Sequence, residues 1–137
     1  MTKTLLLLAT ATATAAPLAA LAALASPPAA AAAAAAASPP SAPTAFAPCA
    51  VCHVVKKGER SGFGPNLYGV AGTRAGAVAG YAFSPAMKKA KVVWNRDTLD
   101  RFIAAPQVVV PGTKMAFAGV KDAAKRKAIV DYLKALK

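Results

Sequence analysis

The stretch Cys49-Ala50-Val51-Cys52-His53 decides how this chain folds. Two thiols separated by two residues, with an imidazole directly after the second thiol, form the attachment signature of a c-type haem. The spacing lets both sulfurs reach the two vinyl groups on one edge of a porphyrin, and it directs the next side chain at the iron from the proximal face. The motif therefore predicts one covalent haem c, with His53 on the iron.

Two other kinds of site use a Cys-x-x-Cys pair, and the sequence weighs against both. A redox-active disulfide motif gains nothing from the following His53, and a thiol oxidoreductase would keep both thiols free for alkylation in the mature protein. A structural zinc ion needs four ligands, and the chain has only two Cys and one His. The zinc interpretation therefore fails, and haem attachment is favoured.

Residues 1–25 have the pattern of a signal peptide. Lys3 gives a positive start, an uncharged run rich in Ala, Thr and Leu follows, and Ala23-Leu24-Ala25 fits the small-x-small cleavage rule. Export to the periplasm suits the motif, because covalent haem attachment needs an export-side maturation system. The alternative is an uncleaved membrane anchor facing the periplasm, since Leu5–Ala25 is long enough to span a bilayer.

Residues 26–45 are almost all Ala, Pro, Ser and Thr. Pro27-Pro28 and Pro39-Pro40 bracket a run of alanines that carries no charge and no large apolar face. This composition predicts a semi-rigid linker behind a retained anchor, or a tail behind a cleaved signal peptide. Residues 46–137 are then the one folded domain, as suits a chain of 137 residues.

The chain carries 17 Lys and Arg residues against 5 Asp and Glu, a formal net charge of +12. Exported haem proteins rarely meet nucleic acid, so we expect no nucleic-acid partner. The charge favours a monomer that docks on acidic sites of membrane redox complexes by electrostatic steering. Contact with the membrane itself is expected only if the leader is retained.

Caps and periodicity place three helices in the domain. Ser84 is an N-cap followed by Pro at the first helical position, and it starts a short helix through Ala90. Asn95 caps a second helix, which Pro106 stops, and Asp122 caps the last helix. No stretch alternates as a strand does, so we expect three or four short helices around a large flat cofactor. A domain this small buries little core unaided.

The sixth position on the iron has few candidates. His53 is the only His, which leaves Met115, Met87 and the lysines. Met115 lies in an irregular loop between two helices, where it is placed to cover a haem face, whereas Met87 lies inside the helix that Ser84 starts and is better explained as core. Met/His ligation gives a low-spin iron of raised potential, which suits electron transfer.

From Cys49 to its end, the sequence resembles the class I cytochromes c, the family of mitochondrial cytochrome c and bacterial cytochrome c2. The matching segments, in the family's order, are Cys49–His53, Gly64-Pro65-Asn66-Leu67, Trp94 and Pro111-Gly112-Thr113-Lys114-Met115. The resemblance implies an all-α cytochrome c fold, with short helices wrapped around one haem that is held by thioether links at Cys49 and Cys52.

The resemblance also implies a role for each residue of the site. His53 would be the proximal ligand and Met115 the distal one. The backbone carbonyl of Pro65 would hold the other nitrogen of His53 and fix its tautomer. Trp94 and Thr113 would hydrogen-bond a haem propionate.

Three departures from the family pattern concern hydrogen-bond donors around the haem. Phe83 stands where many members have a propionate-bonding Tyr, and Tyr81 is the candidate replacement. Thr73 stands where an Arg often helps to bury a propionate, with Arg74 next to it. Phe102 stands where a Tyr commonly donates to the Met sulfur. The reduction potential is therefore not carried over from the family.

The N-terminal helix of the family is expected to be truncated or missing here, because prolines recur between residues 39 and 48. A short turn at Thr44–Phe46 is what we expect to survive, with Phe46 packing against Ile129 and Tyr132. Lower stability than is usual for the fold follows from this loss.

These features predict an electron carrier rather than an enzyme. It would move single electrons from a bc1-type donor to an oxidase or a photosynthetic reaction centre, with Lys57, Lys114 and Lys121 around the exposed haem edge. One alternative is a haem subunit of a dehydrogenase. The other is a five-coordinate haem enzyme or sensor, which requires that Met115 does not bind the iron.

Overall fold

Short helices make up the part of the chain that the structure, a computed structural model, describes, residues 40–137. In chain order the elements are a 3₁₀ turn at Thr44–Phe46, α1 at Ala47–Ala50, α2 at Pro85–Lys89, α3 at Arg96–Ala104, α4 at Pro106–Val109 and α5 at Ala123–Ala135. Within these residues the only β-pairing is a single antiparallel bridge between Arg74 and Val93. The predicted all-α fold is confirmed.

The predicted signal peptide, residues 1–25, lies outside the described residues, as does the predicted linker over 26–45 up to residue 39. Over the stretch that is described, no helix is long and apolar enough to cross a membrane.

Three helices begin where their capping residues predict. The Ser84 hydroxyl oxygen accepts a hydrogen bond from the N–H of Met87 at 3.1 Å. Asn95 Oδ1 accepts from the N–H of Thr98 at 2.9 Å, and Asp122 Oδ1 accepts from two N–H groups in the first turn of α5 at 2.8 and 3.0 Å. Each cap satisfies N–H groups that the helix itself leaves unpaired.

Pro106 ends α3, as predicted, and it also begins α4, which the sequence analysis does not predict. Ala105 has φ −159° and ψ 82°, outside the helical region, so the chain bends between the two helices. Proline fits the first position of α4 because the N–H that it lacks would be unpaired there. The bend carries Gln107 toward the loop that follows α4.

The 3₁₀ turn packs on α5, which closes the domain at its N-terminal side. Phe46 is buried, and its ring centroid lies 5.0 Å from that of Tyr132 in an edge-to-face arrangement. Ile129 and Val130 of the same helix are also buried. Within the described residues, helical structure before the Cys-x-x-Cys-His motif begins at Thr44, and Phe46 contacts the last helix as predicted.

Two ion pairs join α3 to α5 on the surface, and a third lies within α5. Asp131 accepts from Arg96 at 2.6 Å and from Lys127 at 2.7 Å, and Asp100 accepts from Arg126 at 2.8 Å. The hydrogen bonds from Lys127 and Arg96 hold the pKa of the Asp131 carboxyl below its usual value. Carboxylates thus serve helix–helix contact and capping here, and most of the basic side chains keep an uncompensated charge.

Candidate haem-binding site

One cavity of about 540 Å³ lies at the centre of the domain. All eight residues that the sequence analysis selects line it: Cys49, Cys52, His53, Pro65, Tyr81, Trp94, Thr113 and Met115. Core side chains from the 3₁₀ turn, α3 and α5 complete the wall, among them Phe46, Leu99 and Ile129. The cavity is therefore both the candidate site and the middle of the hydrophobic core.

The Cys-x-x-Cys-His motif forms a single turn at the end of α1. The N–H groups of Cys52 and His53 both donate to the carbonyl of Cys49, at 3.1 and 2.9 Å. Burial raises the pKa of the Cys49 thiol. A redox-active thiol needs a lowered pKa, so this environment argues against a thiol oxidoreductase.

The His53 ring is held by one hydrogen bond that settles its tautomer. Nδ1 lies 2.8 Å from the carbonyl oxygen of Pro65. Because a carbonyl only accepts, Nδ1 carries the proton and Nε2 keeps its lone pair for a metal. Burial lowers the pKa of His53, against the opposing effect of the bond to Pro65, so the ring favours its neutral form.

Gly64 lies directly against the imidazole of His53. A Cβ at position 64 would be 2.5 Å from His53 Cε1 and 2.6 Å from Nδ1, closer than such atoms approach. The N–H of Gly64 donates to the carbonyl of Cys52 at 2.8 Å, which ties this segment to the motif. The glycine is thus required by close approach to the ring.

Asn66 organises the loop between the motif and this segment. Its Nδ2 donates to the carbonyls of Lys56 and Glu59, both at 2.8 Å, and its Oδ1 accepts from the N–H of Tyr68 at 2.9 Å. Asn66 belongs to a segment that resembles the family, but its hydrogen bonds are not predicted from the sequence. These bonds hold Pro65 in position to accept from His53.

Met115 reaches the cavity wall from the irregular loop between α4 and α5. The Thr113 hydroxyl oxygen accepts from the N–H of Met115 at 3.3 Å, and the N–H of Thr113 donates to the carbonyl of Val110 at 3.0 Å. Gly112 supplies the left-handed turn, with φ +83°. Met87 lines the same cavity, but it is buried within α2.

Polar groups are few on the cavity wall. Trp94 is buried, and its side chain lines the cavity. The hydroxyl of Tyr81 donates to the carbonyl of Phe63 at 2.8 Å, so in this arrangement its proton is not free for a propionate. Arg74 also lines the cavity.

The residues present fit a haem. A neutral imidazole and a thioether are suitable axial ligands for its iron, and the thiols of Cys49 and Cys52 lie on the same wall. Gly64 leaves room for the ring of His53, and the indole N–H of Trp94 on the cavity wall suits an acidic oxygen at the edge of the group.

Comparison with known proteins decides the family. Cytochrome c2 iso-2 of Magnetospirillum molischianum is 44% identical over 92 residues, which are 67% of this chain and 94% of the relative. The chain belongs to the class I cytochromes c. Cytochrome c of Euglena viridis is 50% identical over 86 residues, 63% of this cytochrome and 83% of the relative. No family model matches the sequence.

A solved structure supports the same assignment for the fold. Cytochrome cH from Methylobacterium extorquens superposes on this cytochrome with a TM-score of 0.62 and 47% identity, covering 66% of this chain and 90% of the other. The protein is thus an electron-carrier cytochrome that binds one haem c, and it is not an enzyme. The predicted family, fold and cofactor are confirmed.

Proposed function

We propose that this cytochrome is an exported carrier of single electrons whose haem iron is bound by His53 and Met115, with thioether links at Cys49 and Cys52. The observation that carries the proposal is the bond between His53 Nδ1 and Pro65, which frees Nε2 toward a cavity that Met115 also lines. The bound haem supplies an Fe(III)/Fe(II) couple. The residues supply its position and its environment.

Each remaining site residue has a proposed task. Pro65 fixes the tautomer and orientation of His53. Trp94 would donate its indole N–H to a propionate, because its side chain lines the cavity and an indole N–H that the haem covers needs an acceptor. Thr113 already accepts from the backbone of Met115 and would donate its own proton to a propionate. Tyr81 would join them only if it left the carbonyl of Phe63.

An absorption spectrum tests the ligation. We expect the oxidised holoprotein to be low-spin, with the weak Met-to-iron charge-transfer band. The reduced holoprotein should not bind carbon monoxide. Two axial ligands from the chain leave no open position on the iron. A high-spin spectrum that shifts with carbon monoxide would instead support the five-coordinate enzyme or sensor.

The partners are proposed from charge. Lys57, Lys114 and Lys121 are exposed, and none forms an ion pair within the described residues. The ammonium groups of Lys114 and Lys121 donate to backbone carbonyls at 3.0 and 3.1 Å, which orients them without neutralising them. Acidic docking sites on a bc1-type donor and on an oxidase or reaction centre would complement these charges. The leader pattern of residues 1–25 supports the periplasm as the place of encounter.

Salt tests the docking. We expect the second-order rate of electron transfer with an acidic redox complex to fall at least about tenfold as ionic strength rises from about 0.01 M to about 1 M, where the Debye length shrinks from about 30 Å to about 3 Å. Lys114→Gln, which removes a charge on the cavity wall, should flatten this dependence. Lys134→Gln, an exposed charge on α5 away from the cavity wall, is the matched control. A rate that salt leaves unchanged would contradict electrostatic docking and leave the haem ligation intact.

A further inference from the structure

Gln107 reaches from α4 to the backbone of the Met115 loop. Its Nε2 lies 3.1 Å from the carbonyl oxygen of Thr113 and 3.2 Å from that of Met115. A side-chain amide nitrogen carries two N–H groups, so one group can serve each carbonyl. The two carbonyls belong to residues on either side of Lys114, and a single side chain therefore clamps both.

The other bonds of this loop involve different groups: the N–H of Met115 donates to Thr113 Oγ1 at 3.3 Å, and Lys114 Nζ donates to the carbonyl of Ala82 at 3.0 Å. The carbonyl of Thr113 has no other donor among residues 40–137, and that of Met115 accepts besides only from the N–H of Phe117 at 3.0 Å. Farther along, the N–H of Val120 donates to the carbonyl of Ile103 at 2.9 Å. Gln107 is thus the side chain from outside the loop that bonds the carbonyls of Thr113 and Met115.

Gln107 has no evident task in the core. It is exposed, and Pro106 begins α4 whatever residue follows it. Only the nitrogen end of the amide fits against two carbonyl oxygens, because an oxygen there would be repelled. The identity of residue 107 therefore matters to the loop more than to the helix.

We infer that Gln107 is a positioning residue that holds the Met115 loop closed over the cavity and so limits the access of outside ligands to the iron. The inference rests on the proposed ligation of the iron by Met115. A ligand such as imidazole binds the iron only when Met115 has left it, so its apparent affinity is proportional to the open fraction of the loop. Loosening the clamp raises that fraction.

The test compares imidazole binding to the ferric holoproteins of the wild type and three variants. Gln107→Glu keeps the shape and sets an oxygen against the two carbonyls, and Gln107→Leu removes the donors without adding charge. We expect both to raise the apparent imidazole affinity about tenfold, which corresponds to about 1.4 kcal/mol. Val108→Glu, at an exposed neighbour in α4, adds the same charge without touching the loop bonds and is expected to stay near the wild type.

Amide hydrogen exchange separates positioning from general loss of stability. Exchange at residues 113–117 should speed up in the Gln107 variants, while exchange in α5 stays unchanged. Gln107 variants that bind imidazole like Val108→Glu, in a protein whose wild type has the Met-to-iron band, would overturn this inference alone. A wild type without that band would overturn the ligation by Met115, and the inference with it.

Discussion

Replacing Met115 by Ala is expected to open the iron completely. Alanine has no atom that can bind iron. Of the other candidates on the cavity wall, Met87 is fixed within α2, and the Lys114 ammonium donates to the carbonyl of Ala82 at 3.0 Å. The Met-to-iron charge-transfer band should vanish, and the reduced protein should bind one carbon monoxide per haem where the wild type binds none. The reduction potential should fall as well, because a Met ligand raises it. Optical titration and potentiometry measure the three effects.

Met87→Leu is the matched control for this substitution. It removes a thioether from the same cavity while keeping an apolar side chain of similar volume, a change that cores tolerate. We expect its spectrum to match that of the wild type, and we expect its reduced form to bind no carbon monoxide. If Met87→Leu lost the band and Met115→Ala kept it, the ligand would be Met87.

Replacing Gly64 by Ala is expected to lower the stability of the domain strongly. Gly64 has no positive φ, so the loss comes from the clash of the new methyl group and not from backbone strain. The new Cβ would lie 2.5 Å from His53 Cε1, so either the ring moves or the segment that carries Pro65 retreats. Both changes break the bond from Nδ1 to Pro65. Overpacking of this kind costs up to about 3 kcal/mol, which lowers the melting temperature of a small domain by more than about 10 °C.

Gly62→Ala is the comparison that isolates the clash. Gly62 lies in the same loop, its backbone also has no positive φ, and a Cβ there would lie 3.5 Å from the carbonyl oxygen of Cys52, an ordinary contact. We expect its melting temperature to stay within a few degrees of the wild type. Equal melting temperatures for the two variants would mean that the His53 ring moves aside at little cost. That result would contradict the close packing of Gly64 against the ring.

The features that the sequence predicts well are those that neighbouring residues determine. The caps at Ser84, Asn95 and Asp122 bond N–H groups two or three residues away, so the residue type and its position suffice. The Cys-x-x-Cys-His motif is local for the same reason. The grouping of His53 and Met115 around one cavity is not local: the irregular loop favours Met115 over Met87, but the assignment of Met115 as the ligand comes from the resemblance to a family.

The features that the sequence does not predict depend on tertiary placement. Gln107 and Asn66 are ordinary polar residues in the sequence, and their importance appears only when the folded chain brings backbone carbonyls within reach. The helix that begins at Pro106 is missed because proline is the residue that ends helices as well as the one that starts them. The bond from Tyr81 to Phe63 likewise depends on where a distant loop lies.

The central cavity affects how the chain folds, and how readily it is degraded, before the haem is attached. Phe46, Leu99, Ile129 and Leu133 are core residues, and each also lines the cavity that the haem would fill. Without the haem, these side chains would forfeit part of the packing that the folded domain provides. A newly made chain therefore gains little by folding before the haem is attached, and until then it stays open to proteases. We expect the abundance of this protein to follow the supply of haem, since the residues that bind the cofactor also decide whether the chain survives.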